Sequence, residues 1–152
     1  MIPNSSLIVS PTEPTGKNRK KIWMQKGKNL FNKNNIITGY RLGLDGLDYK
    51  EEGYFISSYI PANGNMNYTV NYSVDPLRRI AWYDKNKNNL DYINEGSTFK
   101  TSANASFIRI CGPIDILDIA QLEQGSTATD YKAYIEPAIY IKNKNDVYEK
   151  FM

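Results

Sequence analysis

Two loops in this sequence carry oxygen ligands at spacings that could hold a cation. Asp84, Asn86, Asn88 and Glu95 stand at positions 1, 3, 5 and 12 of an EF-hand-like loop, a spacing that lets side-chain oxygens converge on Ca²⁺. Position 6 is Asn89 rather than the glycine the sharp turn needs, and Lys85 and Lys87 add positive charge between the ligands. These four residues are therefore the calcium candidates of a chain for which no metal and no cofactor is expected. Asp45, Asp48, Glu51 and Glu52 form a second oxygen-rich stretch, which reads as a solvated turn. Catalytic chemistry has less to work with. Histidine is absent, which removes the commonest general base and zinc ligand. Cys111 is the single cysteine, so no intrachain disulfide can form, and a small apolar thiol in a strand reads as core rather than nucleophile. No carboxylate pair is marked by its surroundings as an acid–base dyad. The expected class is a protein that is not an enzyme.

Aromatic residues offer a different chemistry. The chain has twelve Tyr, five Phe and two Trp. Such rings stack on the C–H faces of sugars, while nearby Asn, Asp and Arg groups reach the hydroxyls. Tyr54, Tyr59 and Trp82, with Asn71 and Arg109, are the candidate ligand-binding residues. Core or sheet packing is the competing use of each ring. A formal charge of +3 supplies no concentrated basic face, so a nucleic-acid partner is not expected. No apolar run could span a bilayer, and Leu7-Ile8-Val9 is too short for the core of a signal peptide, so neither a membrane partner nor a secretion signal is expected.

The elements that must position these residues read as strands. Residues 1–27 form a turn-rich lead with Pro3, Pro11 and Pro14, then the basic residues Lys17, Arg19, Lys20 and Lys21 before Ile22-Trp23-Met24. This is an extended arm, either a solvated linker or a segment docking on a neighbouring subunit with Trp23 as its anchor. From Lys28 short apolar segments follow at regular spacing: Leu30-Phe31, residues 36–42, residues 54–60, and residues 68–74. In the last of these Tyr68, Val70, Tyr72 and Val74 fall on one face and Thr69, Asn71 and Ser73 on the other. Residues 79–83, 90–93, 99–102 and 107–111 continue the series, and Gly112-Pro113 reads as a break. Residues 114–122 could serve a short helix through Ile114, Leu117 and Leu122; the favoured reading is a turn around 115–118 and then a closing strand near 119–123, with Gly125 and small polar residues as its exit and Tyr131 re-entering the fold. Residues 139–141 and 147–148 read as a hairpin around a turn at 142–146. About eight to ten short strands without a long helix predict an all-β, antiparallel β-sandwich. The predicted organisation is an arm at 1–27, a sandwich at 28–137 and a C-terminal β-hairpin for assembly at 138–152.

Three stretches carry a resemblance: Lys28-Asn29-Leu30-Phe31; Arg79-Ile80-Ala81-Trp82-Tyr83-Asp84; and Ala120-Gln121-Leu122-Glu123-Gln124-Gly125-Ser126-Thr127-Ala128-Thr129-Asp130-Tyr131. Together with the lead from Pro11 to Met24 and the tail from Ile139 to Tyr148, they resemble the carbohydrate-binding-module-like jelly-roll domains of phage tail, baseplate and receptor-binding proteins from phages of Gram-positive hosts. The resemblance implies a galactose-binding-like jelly roll in a virion, partnered by other tail or baseplate proteins. It also implies a homo-oligomer, with a trimer favoured, and in some members binding of host cell-wall saccharide. It carries over no defined sugar site, because the shared residues are mostly structural. A connector or decoration domain without a ligand, and the non-catalytic module of a cell-wall hydrolase, are the alternatives.

Overall fold

The structure is a computed structural model and describes residues 22–25, 27–142 and 148–150. Those residues form twelve strands: β1 (Ile22–Gln25), β2 (Ile36–Leu42), β3 (Asp48–Ser57), β4 (Ile60–Pro61), β5 (Asn67–Val74), β6 (Ile80–Tyr83), β7 (Asn89–Ile93), β8 (Gly96–Lys100), β9 (Phe107–Pro113), β10 (Leu122–Gln124), β11 (Ala138–Lys142) and β12 (Tyr148–Lys150). One 3-10 turn, Ile114–Ile116, is the helical element among them. No helix among the described residues is long and apolar enough to cross a membrane. The chain divides into two compact units, Asn29–Ala133 and a second made of Met1–Lys28 with Tyr134–Met152.

In the larger unit the strands form two antiparallel sheets. One has the order β10-β5-β8; the other runs β2-β3-β9-β6-β7, with β4 added beside β9. The pleat decides what lies between them. Ile80 and Trp82 of β6, Ile108 and Ile110 of β9 and Phe55 of β3 meet Tyr68, Val70 and Val74 of β5, Phe99 of β8 and Leu122 of β10 in one buried cluster. The all-β antiparallel sandwich expected from the sequence is therefore the fold observed. A smaller cluster of Leu42, Ile56, Ala81, Tyr83 and Cys111 occupies the opposite face of the larger sheet. The alternation predicted for β5 is present, but Thr69, on its polar face, is buried too, its hydroxyl donating to Ser97 O at 3.1 Å.

Tyr72 packs against the main cluster with its hydroxyl buried and unpartnered. Burial raises its pKa far above the ordinary tyrosine value. An unsatisfied buried hydroxyl is a net cost, so Tyr72→Phe is expected to raise stability by about 1 kcal/mol. A denaturant midpoint that falls in this variant would show that the hydroxyl has a partner worth keeping.

Several boundaries differ from those expected. Leu30 and Phe31 are not a strand; Leu30 N donates to Leu122 O at 2.8 Å, and Phe31 N to Asn29 Oδ1 at 3.0 Å. Of the acidic stretch read as a solvated turn, Asp45 does lie in the β2–β3 loop, but Asp48, Glu51 and Glu52 belong to the first half of β3, which pairs with Tyr40, Arg41 and Leu42. Gly39 and Gly53, at φ +84° and +83°, flank the register shift that lets this long hairpin continue. Gly112-Pro113 does not break the chain, since both residues pair with β3. A Cβ on Gly112 would lie 2.7 Å from Ile116 Cδ1, so the missing side chain admits the 3-10 turn against the sheet.

In the smaller unit β1 pairs antiparallel with β11, and β11 with β12. The segments read as arm and as C-terminal hairpin thus contribute strands to one three-stranded sheet. The basic residues Lys17, Arg19, Lys20 and Lys21, the side chain of Trp23 and residues 143–147 of the hairpin turn lie outside what is described.

Candidate functional site

Sheet geometry separates the ligand candidates. Trp82 points into the sandwich core, 4% exposed, stacked on Phe99 at 5.2 Å and 11°, with Nε1 donating to Ser102 Oγ at 3.0 Å. It is a core residue rather than a sugar platform. Asn71 lies on the other sheet and replaces a stretch of ladder. Its Oδ1 accepts from Gln121 N at 2.8 Å, and its Nδ2 donates to Ile119 O at 2.7 Å. Tyr59 and Arg109 do come together on the outer face of the larger sheet, with the guanidinium carbon 4.5 Å from the ring centroid. Lys87 Nζ lies over the same ring at 4.9 Å, and Tyr83 and Phe107 meet it edge-on, so the ring is already engaged. Arg109 is buried, donates to Asp48 Oδ1 at 2.8 Å and to Ser57 O at 3.1 Å. Burial alone would lower its pKa, but the Asp48 hydrogen bond and charge outweigh it and hold the group above its ordinary value. Tyr54, half-buried on β3, pairs with Pro113 and shares the outer face with Ile56 by the pleat.

The calcium candidates do not converge. Asp84 closes its own turn, its Oδ1 accepting from Asn86 N at 2.8 Å and Asn88 N at 3.0 Å. The Asn88 amide is the larger cause of a carboxyl held below its ordinary pKa. Glu95 follows β7, beyond the Ile80–Ile93 pair, whereas Asp84 follows Tyr83, which pairs with Asn89. The two therefore sit at opposite ends of one hairpin, a strand length of roughly 10 Å or more apart. Spacing that brings ligands together in a helix–loop–helix separates them along a β-ladder. Among the described residues no group of three or more His, Cys, Asp or Glu side chains is placed to hold a metal ion.

Three acids of the second oxygen-rich stretch are engaged apart from one another. Asp48 pairs with Arg109, Glu51 Oε1 accepts from Arg41 Nε at 3.0 Å, and Asp45 organises the β2–β3 loop. Cys111 is fully buried, its thiol pushed up to about 11 by burial and donating to Arg79 O at 3.4 Å. A thiol so placed is inert, as its reading as core implies.

One open cleft among the described residues was not anticipated from the sequence. Arg41, Gly43, Leu44, Asp45, Tyr49 and Arg79 line a cleft of about 350 Å³. Its rim is the β2–β3 loop. Gly43 N donates to Leu47 O at 3.0 Å, Gly46 N to Gly43 O at 3.1 Å, and Tyr83 Oη to Gly46 O at 2.7 Å. Asp45 Oδ1 accepts from Leu47 N at 3.1 Å and Oδ2 from the Tyr49 hydroxyl at 2.6 Å. The tyrosine bond is the first cause of the lowered Asp45 pKa, and it raises that of Tyr49 in turn. A Cβ on Gly43 would stand 2.2 Å from Tyr49 Cε2, so only glycine lets this ring lie against the backbone. Tyr49 remains 44% exposed and Leu44 56%, which leaves an aromatic and an aliphatic surface at the mouth. Arg79 lies deeper, 8% exposed, with Nη1 donating to Leu42 O at 3.1 Å. The signal available in the sequence was a charged residue leading the otherwise apolar run Ile80-Ala81-Trp82-Tyr83, and a Gly-x-Asp-Gly loop between two strands.

The 120–131 string forms a separate polar network. Gln121 and Glu123 are buried opposite Ala120 and Leu122. Gln121 Nε2 donates to Glu123 Oε2 at 2.9 Å and to Thr129 O at 3.1 Å, while its Oε1 accepts from Lys132 N at 2.8 Å. Glu123 accepts from Thr129 N at 2.9 Å and Thr129 Oγ1 at 2.8 Å. Asn29 adds a donor to Lys132 O at 2.9 Å and accepts from Leu122 N at 3.2 Å. These groups hold residues 129–132, which have no ladder of their own, against the sheet. The ordered strand is only Leu122–Gln124; Ile119 is 58% exposed, and Tyr131, expected to re-enter the fold, is 39% exposed. It is the backbone around Tyr131 that is held, not its ring.

Compared with models of known protein families, with curated proteins and with solved structures, the chain matches none.

Proposed function

We propose that this chain is a non-enzymatic domain of a phage tail or baseplate, of the jelly-roll, carbohydrate-binding-module-like kind, that binds host-surface saccharide through the β2–β3 cleft. The carrying observation is the half-exposed Tyr49 ring, fixed on Gly43 and Asp45 beside two guanidinium groups in an open cleft. An aromatic surface beside planar polar groups is the arrangement that takes a sugar ring. The resemblance of the 120–131 string to tail-protein domains supports the virion setting, with other tail or baseplate proteins and further copies of this chain as partners. A purely structural connector is the second reading. It is favoured by the network around Gln121 and Glu123, which commits that same string to holding the fold.

Binding of the full chain to purified Gram-positive cell-wall saccharide tests the proposal. Tyr49→Ala is expected to weaken it about tenfold, the worth of a stacked ring plus lost shape, with little change in stability because the ring is half exposed. Wild-type protein that binds no wall saccharide, yet forms a stable trimer by light scattering, would leave the connector reading in its place.

A further inference from the structure

Two arginines are buried beneath the outer face of the larger sheet, and they are treated differently. Arg109 has an ion pair, a backbone acceptor and an aromatic neighbour. Arg79 has one backbone acceptor, Leu42 O, and the Tyr92 ring 6.0 Å from its guanidinium carbon. Its Nε is buried without a hydrogen-bond partner, and among the described residues no carboxylate lies in ion-pair range of it. A buried cation left uncompensated is strongly unfavourable unless something else supplies the counter-charge.

The neighbouring acids cannot supply it as they stand. Both oxygens of Asp45, the carboxylate in the cleft lining, are engaged by Leu47 N and the Tyr49 hydroxyl. Of the β3 acids, Asp48, which pairs across to Leu42, is held by Arg109, and Glu51 by Arg41. With Arg41 balanced by Glu51, the lining keeps the Arg79 charge against the tied carboxylate of Asp45. Tyr49 and Leu44 add an apolar mouth above it.

We propose that the cleft seats an oxyanion, a carboxylate or phosphate group, on the Arg79 guanidinium, so that the ligand is an acidic rather than a neutral saccharide. This rests on the saccharide reading given above for the identity of the ligand body, but not for the anion seat. Guanidinium donors form charge-assisted hydrogen bonds with oxyanions, which are the stronger kind.

The experiment is titration of the full chain with glucuronate, glucose and inorganic phosphate at constant ionic strength, read by amide shifts of residues 43–47 and by calorimetry. Glucuronate is expected to bind saturably and about tenfold or more tighter than glucose, the worth of one charge-assisted contact. Arg79→Gln should abolish that preference. Leu44→Glu, at an exposed position that leaves the fold intact, should weaken glucuronate by a similar factor through repulsion; it keeps the test open if Arg79→Gln fails to fold. Equal binding of glucose and glucuronate, or a preference untouched by either variant, overturns the anion seat while leaving the saccharide reading standing. Phosphate and glucuronate binding alike, with glucose silent, supports the seat and removes the saccharide reading. Silence of all three overturns both.

Discussion

Glu123→Ala is expected to lower stability by about 3–5 kcal/mol, a large effect for a residue on a three-residue strand. The reason is the number of groups that one carboxylate satisfies. Its loss leaves the Thr129 amide, the Thr129 hydroxyl and one bond of the Gln121 amide without their acceptor in a buried site. The damage should spread along the chain, because Gln121 in turn accepts from Lys132 N and donates to Thr129 O. Amide exchange at residues 129–132 should accelerate before the rest of the sandwich opens. Glu123→Gln keeps one accepting oxygen and should fall between the alanine variant and the parent. A loss below about 1 kcal/mol for the alanine variant would mean that water replaces the carboxylate freely and that the network is not dry.

Trp82→Ala is the other large effect, expected to cost about 3–5 kcal/mol. The ring is almost fully buried, stacked on Phe99 and bonded to Ser102 Oγ, so truncation removes packing and leaves a cavity between the two sheets. The informative comparison is with Tyr49→Ala. If the cleft is the binding site, Trp82→Ala unfolds early in denaturant but binds saccharide normally per folded molecule, whereas Tyr49→Ala does the reverse. Loss of binding without loss of stability in Trp82→Ala would return the tryptophan to the ligand site and move the site away from the cleft.

These contrasts show which features were legible in the residue order. β2 could be read directly from its β-branched and aromatic residues, and β5 from the apolar spacing of Tyr68, Val70, Tyr72 and Val74. The start of β3 could not be, because Asp48, Tyr49, Lys50, Glu51 and Glu52 look like a loop until Arg41 of the adjacent β2 and Arg109 of the distant β9 neutralise two of them. The calcium-like spacing at Asp84 brings no ligands together, because the hairpin carries Glu95 away from the loop. Aromatic count pointed toward rings as such, yet Trp82 and Tyr59 are consumed by packing, and the open ring is Tyr49, inside the acidic stretch. Five of the six lining residues fall within 41–49, but Arg79 comes from the distant stretch before β6, so the cleft is complete only once β6 joins the sheet of the β2–β3 hairpin.

The terminal sheet bears on the order in which the chain folds. Gln25 and Ala138 pair across roughly 110 residues of intervening chain, an expensive loop for a four-residue ladder to close by itself. Folding of residues 29–133 changes that, because Asn29 Nδ2 donates to Lys132 O at 2.9 Å and so brings the two ends of the larger unit together. The loop that β1 and β11 must close then shrinks to roughly 10 residues, which removes about 2 kcal/mol of closure entropy. β1 and β11 therefore pair last. A chain whose Asn29 cannot hold the neck shut delays their pairing without touching either strand.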